Sequence, residues 1–127
     1  MTERHQIYKC EICGNIVEVT HEGAGTLVCC RKNMDLMVEK KEEEGNEKHL
    51  PSVSFEREKL VVKVGEVEHP MEEAHFIEWI EVIDGDNSQK VYLKPADSPK
   101  AEFTVSKNES LRIRSYCNLH GLWEKNI

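Results

Sequence analysis

The sequence predicts a mainly β chain in two parts, a small cysteine-bearing unit followed by a β-sandwich or Greek-key barrel. Three observations predict it. Four of the five cysteines fall within the first thirty residues, as Cys10-x-x-Cys13 and the adjacent pair Cys29-Cys30. A run of nearly unbroken charge, EKKEEEGNEK over residues 39–48, follows them. Beyond it, short apolar and β-branched runs alternate with Pro, Gly, Asn, Asp and Ser at the spacing of strands and turns.

Within residues 1–38 the β-prone runs are 16–20 and 26–29, and the hairpin between the two cysteine pairs brings them together. Residues 39–48 read as a solvated linker or exposed loop. In residues 49–127, VSFEREKLVVKVG (53–65) predicts two strands and AHFIEWIEVI (74–83) a longer one. DGDN (84–87) is a turn signal, and QKVYLK, AEFTVS and SLRIRSY complete the series. No stretch carries a convincing amphipathic-helix pattern.

At 127 residues, with 39% hydrophobic and 6% aromatic content, the chain can bury only a modest core. A 38-residue unit then needs another source of stability, such as a metal. The net charge of −7 disfavours nucleic acid as a partner, which requires a concentrated basic face. No apolar stretch approaches the roughly 20 residues of a membrane span. MTERHQIYKC lacks the apolar segment of a signal peptide, which predicts a cytoplasmic chain. In that reducing compartment the cysteines point to metal or redox chemistry rather than disulfides.

Cys10, Cys13, Cys29 and Cys30 form the ligand set of a tetrahedral four-thiolate site. Zinc and iron both accept such a set. Adjacent ligands at 29 and 30 strain the tetrahedron, which favours iron. A second cluster lies in the β region. His49, His69, His75 and His120 each sit in or beside a turn signal, and His120 follows Cys117 at Cys-x-x-His spacing. Such positions can converge at one end of a sandwich. Four imidazoles and a thiolate make a five-coordinate site, so an octahedral metal keeps one position open for a small substrate. Glu47 and Lys48 precede His49: the cation can draw an anion against the field of an acidic chain, and the carboxylate can occupy the open position. His5 and His21 lack partners at ligand spacing and read as surface residues.

These residues together resemble desulfoferrodoxin, the two-iron superoxide reductase family. The resemblance rests on YKCEICGN (8–15), LVCC (27–30), EKHLP (47–51), VEHPMEEAHFIEWIEV (67–82) and YCNLHGLW (116–123). It implies a rubredoxin-like N-terminal domain over 1–38 with iron on Cys10, Cys13, Cys29 and Cys30, and a charged linker over 39–48. An immunoglobulin-like β-sandwich of about seven strands over 49–127 would hold the catalytic iron. There His49, His69, His75 and His120 would be equatorial and Cys117 axial. It further implies reduction of superoxide to hydrogen peroxide, with Lys48 attracting the anion and Glu47 closing onto the ferric iron at rest. Electrons would come from an external donor such as rubredoxin, and the protein would be a homodimer. A cupredoxin-like electron carrier is the competing reading, since Cys117 and His120 also fit part of a copper site. It leaves two histidines unused, and Trp123 stands where an axial methionine is expected. Two positions depart from the family pattern. Arg31 and Lys32 follow the adjacent cysteines in place of a glycine or small polar residue, and either raise the potential or form a docking patch for an acidic donor. Ser115 replaces an acidic or small residue and is expected to alter hydrogen bonding near the thiolate.

Overall fold

A computed structural model describes residues 1–41, 49–65, 69–105 and 110–127. The chain divides into two compact units, Met1–Val38 and Glu39–Ile127. Among the described residues every regular element is a strand.

In the first unit, β1 (Ile7–Lys9) is the centre of a three-stranded antiparallel sheet, flanked by β2 (Ile16–Glu18) and β5 (Asp35–Met37). Between them β3 (Val28–Cys29) and β4 (Lys32–Asn33) form a minimal hairpin. Ile7, Cys10 and Val19 are its buried apolar residues, which is little core for 38 residues. That shortage is the physical reason for a stabilising ion in this unit.

The second unit is a sandwich of seven strands among the described residues. One sheet has the order β10 (Lys100–Thr104), β7 (Lys59–Val64), β6 (Pro51–Glu56). The other runs β12 (Gly121–Asn126), β11 (Leu111–Cys117), β8 (Ile77–Asp84), β9 (Asn87–Tyr92). The chain crosses from the first sheet to the second after β7, returns for β10 and crosses again, which is the Greek-key connectivity of immunoglobulin-like sandwiches. Alternation fills the space between the sheets: Leu60, Val62 and Val64 from β7 and Ala101 and Phe103 from β10 meet Ile80, Val82, Leu111 and Ile113. Truncating any of the large ones to alanine removes about 2–5 kcal/mol.

The turns match their residues. Asp84 pairs with Asn87 across Gly85-Asp86, with Gly85 at φ +62°, as the DGDN signal anticipates. Glu39–Lys41, which charge alone reads as solvated linker, belong instead to the β unit. Lys40 forms a parallel bridge with Trp123, its N–H donating to the Leu122 carbonyl at 2.9 Å. Cross-strand charges hold this segment, Lys41 with Glu124 at 3.4 Å and Glu39 with Arg112 at 3.7 Å. Residues 42–48 lie outside the described residues, and with them Glu47 and Lys48.

Candidate metal centres

The first centre is built by two tight turns. Gly14, at φ +84°, reverses the chain after Cys13 and donates its N–H to the Cys10 carbonyl at 2.9 Å. This leaves the Asn15 N–H directed at the Cys13 sulfur at 3.5 Å. The second turn joins β3 to β4 through Cys30 and Arg31, both at positive φ (+53° and +61°), the signature of a type I′ hairpin turn. The strain expected of adjacent cysteines therefore resides in the backbone. The four sulfurs lie within 4.8 Å of one another, with Cys13 to Cys29 at 3.6 Å and Cys29 to Cys30 at 3.9 Å. A tetrahedron with metal–sulfur bonds of about 2.3 Å has edges of about 3.8 Å, so the sulfurs already stand where a metal would hold them. All five cysteines are free thiols.

The thiols differ in acidity because they share protons. The backbone N–H groups of Cys13 and Ile12, with the thiols of Cys13 and Cys29, hold the Cys10 thiol down to about 6. Hydrogen bonding to Cys13 and then Cys10 pushes Cys29 upward, and Cys30 is pushed up to about 12 by bonds to Cys13, Cys10 and Cys29. One thiolate forms readily and Cys29 and Cys30 then resist a second and third negative charge. A cation opposes that resistance, so metal uptake is expected to release thiol protons. The set fits a metal that prefers soft thiolate, iron or zinc.

Arg31, where the family pattern has a glycine or small polar residue, sits at a left-handed backbone position. Arg31→Gly is expected to stabilise the apo first unit by about 0.5–1 kcal/mol, the relief of left-handed strain being partly offset by unfolded-chain entropy. Denaturant unfolding of the metal-free chain measures this, and a loss of stability would show that the side chain makes a compensating contact.

The second centre sits at one end of the sandwich. His49 precedes β6, His69 and His75 lie between β7 and β8, Cys117 ends β11 and His120 lies in the β11–β12 turn. Strand pairing brings them together: Pro51 opposes Val64, Ile77 opposes Cys117, and Cys117 opposes Gly121. A register shift at Tyr116/Cys117 pairs Cys117 with Ile77, and the thiol enters the buried core. Gly121, at φ +86°, closes the three-residue turn that carries His120.

The four imidazoles form a closed ring in which each lies against two neighbours. His49–His69, His69–His75, His75–His120 and His120–His49 have centroids 4.6, 4.9, 5.0 and 4.8 Å apart, with steep interplanar angles of 60–85°. One ligand atom from each of the four, and the Cys117 sulfur, lie within 4.8 Å of one another. His49 Nε2 is 3.1 Å from His120 Nδ1, and Cys117 Sγ is 3.7 Å from the same nitrogen. Adjacent nitrogens on a metal at about 2.1 Å stand about 3.0 Å apart and opposite ones about 4.2 Å, so the set fits one ion bound by five donors. A copper site of two imidazoles and a thiolate would leave half of this ring without a role.

Neighbouring groups fix the ligands. His69 Nδ1 is 2.8 Å from the Pro70 carbonyl, which can only accept, so Nδ1 carries the proton and Nε2 the lone pair. Ser115 donates its hydroxyl to the His49 carbonyl at 3.3 Å, which corrects the expectation that it acts at the thiolate. Trp123 stacks on His49 at 4.5 Å and 9°. Sequence reading missed both supports, although Ser115 and Trp123 oppose each other in the β11–β12 register. Cys117, His49 and His69 are buried, His75 is half-buried and His120 is exposed, so the centre reaches solvent at the His120 side. Among the other histidines, His21 is exposed as expected, whereas His5 is only half so.

Comparison with known proteins agrees with this geometry. The family model described as desulfoferrodoxin, N-terminal domain, matches residues 2–37, and that described as desulfoferrodoxin matches residues 41–126. A desulfoferrodoxin homolog of Archaeoglobus fulgidus is 57% identical over 98% of both chains. A superoxide reductase of Pyrococcus horikoshii is 36% identical, covering 64% of this chain and 86% of its own. The crystal structure of the superoxide reductase from Treponema pallidum superposes with a TM-score of 0.77 at 21% identity, covering 94% of this chain and 96% of that one, a likeness of fold. With family models over both units and a relative matched almost end to end, the chain belongs to the desulfoferrodoxin family.

Proposed function

We propose that the chain is a superoxide reductase with two iron centres. Cys10, Cys13, Cys29 and Cys30 hold one, and His49, His69, His75, His120 and Cys117 hold the other. The observation that carries this reading is the closed ring of four imidazoles with a buried thiol within ligand reach of all four. Iron held there would supply the one electron that, with two protons, converts superoxide to hydrogen peroxide without release of dioxygen.

The protein's part is to hold the site and direct the anion to it. Four neutral imidazoles and one thiolate leave a ferrous site with a net charge of +1, attractive to an anion within a chain of −7. Burial of Cys117 keeps water from the sulfur, and its charge donation favours the higher oxidation state. The exposed His120 side is the route of approach. Lys48 is proposed to draw superoxide in and to aid its protonation, and Glu47 to supply a carboxylate to the open position in the oxidised resting protein; their places immediately before buried His49 support both roles.

Residues 1–38 are read as the rubredoxin-like domain, residues 39–48 as the segment leading to the catalytic site, and residues 49–127 as the catalytic sandwich. A one-electron carrier such as rubredoxin is the proposed donor, and the protein is proposed to act as a cytoplasmic homodimer. Five free cysteines support a reducing compartment. No helix among the described residues is long and apolar enough to cross a membrane.

The test is metal content and visible spectrum before and after oxidation, followed by superoxide decay with peroxide and dioxygen quantified. Two irons per chain, a thiolate-to-iron band that appears on oxidation, and peroxide without dioxygen are expected; equal yields of peroxide and dioxygen would make the protein a dismutase. Lys48→Ala is expected to slow association with superoxide by roughly tenfold and to flatten its salt dependence, with both iron bands retained. An unchanged rate would remove Lys48 from the approach path.

A further inference from the structure

We infer that Asn118 is a positioning residue for the β-unit metal centre, tying the segment on either side of His75 to the turn that carries Cys117 and His120. The inference rests on the reading of that ring as a metal centre. His75 lies outside the named strands, in the connection between β7 and β8. Its own N–H and carbonyl bond to Glu72, at 3.0 and 2.9 Å, and shape a local loop.

Asn118 adds a side-chain tie between this loop and the turn that carries Cys117 and His120. Asn118 Oδ1 accepts the Phe76 N–H at 2.9 Å, and Asn118 Nδ2 donates to the Ala74 carbonyl at 3.0 Å. Its backbone N–H donates to the Phe76 carbonyl at 3.2 Å. The orientation of the amide follows from its partners, since a backbone N–H only donates and a carbonyl only accepts. All three bonds go to the two residues that flank His75, while Asn118 itself follows Cys117 and precedes His120 by two. Asparagine suits the position because it alone among side chains of this length offers both a donor and an acceptor. Aspartate would set a carboxylate oxygen against the Ala74 carbonyl, and leucine would keep the volume and lose both bonds.

The full chain loaded with cobalt(II) gives a readout independent of superoxide. Paramagnetically shifted imidazole N–H resonances report each coordinated ring, and the one missing from His75→Ala is that of His75. In Asn118→Leu, the His75 resonance alone is expected to move or broaden, and chelator-driven cobalt loss from this centre to quicken about tenfold, with the four-thiolate centre unchanged. Asn118→Asp, which keeps the bond to Phe76, is expected to show the same single-ring change more weakly and serves should the leucine variant fail to fold. Equal displacement of all ring resonances, or none, would overturn the inference by making Asn118 a general stabiliser of the turn. A parent chain with no shifted imidazole resonances would overturn the metal-centre reading itself, and the inference with it.

Discussion

Cys117→Ser is expected to abolish the thiolate-to-iron band of the β-unit centre, to weaken metal retention there on the order of 10²-fold, and to lower the superoxide reduction rate by at least as much. Serine matches cysteine in shape but stays a neutral hydroxyl at working pH, so a buried negative ligand becomes a weak dipole. The magnitude follows from structural zinc sites, where roughly 10–16 kcal/mol of binding over four ligands is about 3 kcal/mol per ligand. Four imidazoles remain, so some iron stays bound, but without the charge that favours the ferric state. The four-thiolate centre belongs to a separate compact unit and its bands are expected to be unchanged. Visible spectra, metal analysis and superoxide decay on the same preparation check all three. A variant that keeps its rate while losing the band would show that the imidazole ring alone suffices and that the thiol serves only to retain the metal.

The ligands were legible in the sequence because their chemistry is specific to residue type. Few arrangements of a thin-cored chain use Cys-x-x-Cys, an adjacent cysteine pair and four turn-flanking histidines. The strands were legible where alternation is clean, as in Lys100–Thr104, and where turn residues bracket them, as at Gly85. Others carried too little signal. β3 and β4 are two residues each and have no period to detect, and β1 and β5 are three. β12, GLWEKN, was missed because it follows the ligand turn at once and ends in charged and polar residues.

What charge did not reveal is that an exposed segment can still pair with the sheet: Lys40 and Lys41 are exposed, yet both are tied to β12. Glu39–Lys41 read as linker because nothing local reveals that Arg112, Arg114 and Glu124 await them some 70–85 residues later. Ser115 was assigned to the thiolate because it is near in sequence, yet its hydroxyl reaches His49, 66 residues away. Supports of this kind are tertiary, and a single sequence holds them only as scattered polar residues on opposing strands.

The same blindness hid Glu81 and Arg114, both 0% exposed on adjacent strands, and Arg114→Leu is expected to destabilise the β unit by about 3–5 kcal/mol. Strand register lines up Lys90, Glu81, Arg114 and Glu124 across β9, β8, β11 and β12, opposite charges side by side on the face away from the core. Arg114 donates Nε to Glu81 Oε1 at 2.8 Å and Nη2 to the same oxygen, while its Nη1 reaches Glu39 at 3.4 Å. Leucine at 114 leaves the Glu81 carboxylate buried with Lys90 at 3.6 Å, too distant to replace two guanidinium bonds. The loss corresponds to roughly 15–30 °C in the unfolding midpoint for a unit of this size. Desolvation, not attraction, sets this figure, which Glu81→Leu combined with Arg114→Leu isolates: with both charges gone, stability is expected to return to within about 1 kcal/mol of the parent. Denaturant unfolding of parent, both single variants and the double completes the cycle. A double variant as unstable as Arg114→Leu would mean that the pair contributes net attraction through its link to Glu39. The row would then anchor the segment leading to His49 as well as the sheet.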